Sequence, residues 1–191
     1  MPTAFLDACV LYPADYRDLL LRLAEAGAFR PLWSPEVQRE WIASLLRNRN
    51  DLKPEQLERT RELMNRAFPG ACVGEYDLLS LPLPDANDLH VVAAAYAGGA
   101  EYIVTENVAH FPPDALNGLE LEAVRLETFL MLLVEQDLRR NGVPHTICKG
   151  LRSLRQGLGS PGKSHEELVS HWQRRGLRDF AAFAQTHKHM W

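Results

Sequence analysis

Three carboxylates, Asp7, Glu40 and Asp88, are distributed so that a fold could gather them. Asp7 closes the apolar stretch TAFLD, Glu40 follows the Ser34-Pro35 pair in WSPEVQREW, and Asp85 and Asp88 flank Ala-Asn in LPLPDAND. Carboxylates brought together without cations repel and raise one another's pKa values. A hard divalent cation that takes oxygen ligands, Mg²⁺ or Mn²⁺, resolves the repulsion. Such an ion lowers the pKa of water and neutralises charge building on a phosphate during displacement. Each acid also has a plain alternative. Asp85 and Asp88 sit where an N-cap and a first-turn acid favour a helix, Glu40 could be a solvated helix residue, and Asp7 could begin a turn.

The positioning elements follow from hydrophobic periodicity. Residues 3–7 predict a buried strand, and residues 16–26, with Leu19, Leu20 and Leu23 on one stripe, predict a helix ended by Gly27. Residues 29–33 predict a second strand, followed by a helix capped by Ser34 with Pro35 at its first position and Val37, Trp41 and Leu45 on one face. A helix after Pro54 ends at Pro69-Gly70, and residues 71–75 predict a weaker third strand. Then come the small-residue helix LHVVAAAYAGG, a strand at residues 101–105, a strand-like LELEAV and the helix ETFLMLLVEQ. Alternating strands and helices imply an α/β fold, a parallel sheet with helices on both faces. Its ligands should bind at the carboxyl ends of the strands, where Asp7, Glu40 and Asp88 are expected.

From about Asn141 the pattern is helical without strands, which predicts two parts: residues 1–137 and a small all-helical extension, residues 138–191. The extension contains GLGSPGKS, residues 157–164, which fits G-x-x-x-x-G-K-[ST]. A phosphate-cradling loop of that kind must join a buried strand to a helix. Basic, helical KGLRSLRQ precedes it, so we read a turn leading to a helix capped by Ser164 and Glu167. His165 and His171 are six apart and have no matched cysteine pair, which argues against structural zinc.

The net charge of -4 hides a division. Residues 1–137 hold 11 Lys/Arg against 22 Asp/Glu, whereas residues 138–191 hold 10 against 3. The basic set includes Arg139, Arg140, Lys149, Arg152, Arg155, Lys163, Arg174, Arg175 and Arg178. Of these, Arg152, Arg155, Lys163, Arg174 and Arg175 are candidates to meet RNA phosphates. The same surface could equally dock on an acidic protein or be an ordinary solvated face. Three distant cysteines, Cys9, Cys72 and Cys148, indicate no disulfide framework. The chain shows neither a signal-peptide pattern nor an apolar run long enough for a membrane, so we expect a cytoplasmic protein without a membrane partner.

FLDACVLYP resembles the opening of PIN-domain ribonucleases, toxins of the VapC type, and LPDANDLHVVAAAYAGGAEYIVTENVAHFP resembles the second signature of that family at length. WSPEVQREW places Glu40 at the family's helix acid. The resemblance spans about residues 3–135 and implies a sheet-centred nuclease with Mg²⁺ or Mn²⁺ as cofactor. It carries Asp7, Glu40 and Asp88 over as catalytic, metal-binding carboxylates, Asn107 as a further metal-site residue, and Asp85 and Thr105 as auxiliaries. It also implies an RNA substrate, a cognate antitoxin and a possible homodimer. Many members have an aspartate where this chain has His110. Asn107 or Asp114 could complete the shell, His110 could itself bind metal or phosphate, or the site could be weakened; we expect a working three-acid site. Two other functions fit the same residues: an RNA-processing nuclease with no antitoxin, or a binding module that has lost catalysis.

Overall fold

The computed structural model describes residues 1–77, 81–157 and 163–191. Four strands, β1 (Thr3–Leu6), β2 (Arg30–Leu32), β3 (Tyr102–Val104) and β4 (Glu122–Val124), form one parallel sheet in the order β2-β1-β3-β4. Phe5 of the central β1 is paired with Leu32 on one side and Ile103 on the other. Every residue of β1 is buried, as expected for a parallel strand covered on both faces, which is why TAFL reads as continuous rather than alternating. The chain leaves β1 for β2 on one side and later returns to β3 on the other. The carboxyl ends of β1 and β3 therefore border the crevice at the topological switch.

Ten α-helices complete the described chain: α1 (Ala8–Leu11), α2 (Ala14–Ala26), α3 (Pro35–Asn48), α4 (Pro54–Ala67), α5 (Leu89–Ala97), α6 (Pro113–Leu116), α7 (Leu126–Asn141), α8 (His145–Gly157), α9 (His165–Arg174) and α10 (Arg178–Thr186). They group into two compact units. One comprises Pro2–Arg17 and Arg30–Arg125; the other comprises Met1, Asp18–Phe29 and Leu126–Trp191.

In the first unit, Ser34 Oγ accepts the Val37 amide at 3.2 Å to start α3. The helix then buries Val37, Trp41, Ile42 and Leu45 along one face. Helix α5 is apolar nearly all round, and Val91, Val92, Ala93, Ala94 and Ala95 are buried as it packs on β1 and β3. Gly98 ends it, where a Cβ would come within 2.6 Å of Leu32 Cδ1. Residues 71–75 do not form the expected third strand. After the Pro69-Gly70 turn, Trp33 N donates to Ala71 O and Val73 N to Trp33 O, leaving one isolated bridge between Trp33 and Cys72. Gly74 and the polar Glu75-Tyr76-Asp77 run offer no further apolar pairing surface.

In the second unit, Phe29 and Phe129 meet edge to face at 5.1 Å. Gly150 lets α8 approach residues 22–23, because a Cβ there would meet Leu23 Cδ2 at 2.9 Å and Arg22 O at 3.1 Å. Trp172 lies 5.5 Å from Phe180 and 5.8 Å from Trp191, closing an aromatic cluster. Each such buried side chain contributes roughly 1.5–3 kcal/mol through apolar burial. The Ser164–Glu167 capping box forms as predicted. Five residues of the GLGSPGKS segment, 158–162, lie outside the described residues, but its flanks are helix α8 and the N-cap of α9 rather than a strand and a helix. Among the described residues, no helix is long and apolar enough to cross a membrane.

Candidate active site

Asp7 leaves the carboxyl end of β1 and caps α1, with Oδ1 accepting the Ala8 amide at 2.6 Å. Its other oxygen, Oδ2, accepts from the Thr105 hydroxyl at 2.7 Å and the Cys9 thiol at 3.0 Å. Thr105 follows β3, so adjacent strands deliver both partners. Thr105 Oγ1 also accepts the Asn107 amide at 3.0 Å, and Cys9 Sγ accepts the Glu106 amide at 3.2 Å. Burial, reinforced by the Asp7 charge, pushes the Cys9 thiol up to about 12. Cys9 is therefore a proton donor to Asp7 rather than a thiolate nucleophile. Arg17 secures the same corner, donating to Leu11 O at 2.5 Å and lying 4.5 Å over the Trp41 ring.

Asp85 caps a 3-10 turn, Ala86–Asp88, by accepting the Asn87 amide at 2.9 Å. Its predicted capping role is real but serves this turn. Asp88 stands at the N-cap of α5 rather than inside its first turn, and its side chain makes no capping bond. Instead, Asp88 Oδ2 lies 2.7 Å from His110 Nδ1. Burial raises the Asp88 pKa; the His110 contact opposes the rise, and the charges of Asp7 and Asp85 add to it. Glu40 on α3 meets His90 on α5, with Oε1 and Nε2 2.9 Å apart. Burial lowers the proton affinity of His90, but the Glu40 hydrogen bond and charge, with help from Glu36 and Asp7, overcome it and raise the pKa.

Asp7, Glu40, Asp85, Asp88, Asn107 and His110 line one cleft of about 710 Å³. Thr105 is fully buried beneath it, holding Asp7. Asp114 does not line the cleft. Sequence reasoning missed His90 and the wall formed by Arg39, Ser44 and Arg47 from α3 and Tyr12 from beyond α1. Arg39 and Arg47 were legible as the residues one before and seven after Glu40, on the same helix. No local signal pairs His90 with Glu40. Arg152, Arg155, Lys163, Arg174 and Arg175 all belong to the unit that contains Leu126–Trp191. Arg152 donates to Met190 O at 2.5 Å, while Lys163 and Arg174 share a depression of about 460 Å³ with Glu166 and Glu167.

The PIN domain family matches residues 3–109 of this sequence, more than half of the chain. The chain is a PIN-domain protein. Within the PIN domain, the match reaches from β1 to the residue before His110 and so takes in Asp7, Glu40, Asp85, Asp88 and Asn107. The chain is also 41% identical over 58 residues to a curated Mycobacterium tuberculosis protein named "Putative ribonuclease VapC50". That likeness covers 30% of this chain, and the chain spans about a third of the relative's length, 34%. No solved structure matches the chain.

The donors of this PIN domain suit a divalent cation. One ligand atom each from Asp85, Asp88 and His110 lie within 4.8 Å of one another. In an octahedral shell with bonds near 2.0–2.1 Å, adjacent donors are about 3 Å apart and opposite ones about 4 Å apart. A shift of under about an ångström brings the three atoms into one shell. The raised pKa of Asp88, caused by burial with like charges adding to it, is the electrostatic strain that a cation relieves.

Proposed function

We propose that this chain is a metal-dependent endoribonuclease, the toxin of a VapBC-like pair, with Mg²⁺ or Mn²⁺ as cofactor. The observation that carries the reading is the convergence of Asp7, Glu40, Asp88 and Asn107 on one open cleft at the switch point of a PIN-domain sheet. The name of the curated relative, a ribonuclease, supports the same reaction class. Asp88 would hold the cation, with Asp7, Glu40 and Asn107 lining the same cleft. When bound, it supplies Lewis-acid chemistry: it acidifies water and offsets charge on the phosphate.

The chain's own groups do the rest. Thr105 and Cys9 hold the Asp7 carboxylate in one orientation, since both donors converge on Oδ2. His90 holds Glu40 over the cleft, and His110 holds Asp88. Arg39, ion-paired with Glu36, and Arg47 line the same cleft from α3 and are suited to flanking phosphates of a single strand. The basic extension, residues 138–191, offers Arg152, Arg155, Lys163, Arg174 and Arg175 to the RNA backbone. A small antitoxin that covers the acidic cleft would silence the enzyme.

The test is cleavage of a mixed structured and single-stranded RNA pool by purified protein with Mg²⁺, Mn²⁺ or EDTA, beside Asp88→Asn. Cutting that needs metal and disappears in the variant is the expected result. RNA bound but uncut under every metal would sink the nuclease reading and leave a binding module.

A further inference from the structure

We propose that His110 is a ligand of the cleft cation and that its imidazole biases the centre toward Mn²⁺ over Mg²⁺. The inference rests on the metal-dependent reading above and specifies the chemistry of that site. Asp85 and Asp88 offer hard oxygens, whereas His110 offers a nitrogen at the position where the resembled family often has a fourth acid. Mg²⁺ dehydrates reluctantly and takes carboxylate and water oxygens at short, near-ideal octahedral distances. First-row transition cations accept imidazole more readily than Mg²⁺ does, and Mn²⁺ also suits a shell made otherwise of carboxylates. A mixed set of two oxygens and one nitrogen therefore discriminates in favour of Mn²⁺.

The geometry agrees. His110 Nδ1 and Asp88 Oδ2 stand 2.7 Å apart, close to the roughly 3 Å edge between adjacent donors in an octahedral shell. His110 belongs to a short 3-10 turn, Val108–His110, and its side chain is 42% exposed. It is thus held by Asp88 rather than by packing, and it can adjust to a cation. A histidine that served only to fix Asp88 would produce the same contact, so the experiment must detect the metal–nitrogen bond itself.

Untagged protein is loaded with less than one equivalent of Mn²⁺ and examined by pulsed electron paramagnetic resonance. Nitrogen modulation from a bound imidazole should appear in the wild type and vanish in both His110→Asp and His110→Asn. Loss in both variants assigns the nitrogen to His110 rather than to the histidines of residues 138–191. Competition with Mg²⁺, read from the signal of released aqueous Mn²⁺, should show a Mn²⁺/Mg²⁺ preference that falls at least about tenfold in His110→Asp, the loss that even outer partners of a metal site can cause. Bound Mn²⁺ without nitrogen modulation, or a preference unchanged in His110→Asp, overturns the proposal. If RNA is still cut with Mn²⁺ in that case, the nuclease reading survives and only the role of His110 falls. A wild type that retains no Mn²⁺ at all overturns both.

Discussion

Two aspartates of this protein are almost equally buried, Asp7 at 8% exposure and Asp137 at 7%, yet they illustrate opposite uses of a hidden charge. Asp137, on α7, accepts from Asn141 Nδ2 at 2.6 Å and from the Ile147 amide at 2.9 Å. Ile147 lies in the first turn of α8, so the acid ties two consecutive helices together and favours the positive end of the second. Its partners are four and ten residues away. Asp7 instead takes a donor 98 residues away, from the neighbouring strand, and it lines a cleft of about 710 Å³ open to solvent. A buried acid whose donors join neighbouring helices reads as structural. One fixed from a distant strand while facing an open cleft beside other acids reads as functional.

Reciprocal substitutions should break this pair apart. Asp7→Asn is expected to reduce metal-dependent RNA cleavage by at least the roughly hundredfold that outer partners of a metal can cost, while the protein stays folded. Asp137→Ala should do the reverse, lowering stability in urea by about 1–3 kcal/mol through the orphaned Ile147 amide, with cleavage per folded molecule retained. If Asp137→Ala abolished cleavage in folded protein, the contrast would be lost. A smaller effect should come from Thr105→Val, which removes the distant donor but keeps the shape. Mn²⁺ affinity measured by calorimetry should fall about 10–100-fold.

The weakest effect is expected at the exposed pair Arg139–Glu135, one helical turn apart on α7. Removing both should change the unfolding free energy in urea by less than about 0.5 kcal/mol, since surface pairs of this kind contribute little. A larger loss would mean that local charge pairs in the helical unit matter more than their exposure suggests.

Asp88 sharpens the contrast through pH. Its folded pKa is raised, chiefly by burial, so the ionised form costs stability at neutral pH and the cost is relieved as pH falls through that raised value. In EDTA at neutral pH, Asp88→Asn should therefore melt at a higher temperature than the wild type. Added Mn²⁺ should raise the melting temperature of the wild type but not of the variant.

Much of this architecture was legible because its causes are local. Continuous apolar stretches such as TAFLD and EYIVT announce buried parallel strands, Ser34-Pro35 and Ser164–Glu167 announce helix starts, and alternation of the two element types announces the sheet. The position of Asp7 just after its strand followed from the same pattern, and so did its placement in a cleft. The expected strand at residues 71–75 failed because a strand needs a partner along its length, and only Cys72 finds one.

What the amino-acid order could not contain was the pairing of side chains across elements. Strand order brings Thr105 beside Asp7, the packing of α5 on β1 and β3 fixes the setting from which His90 reaches Glu40, and the turn after β3 brings His110 to Asp88. Periodicity repeats over two or 3.6 residues and determines which face of an element is buried. It carries no information about which distant residue will stand opposite. The sequence by itself thus determined the elements, their buried faces and the acids at their ends; only the tertiary structure decided which donor each acid meets, because those partners are set by strand order and helix packing.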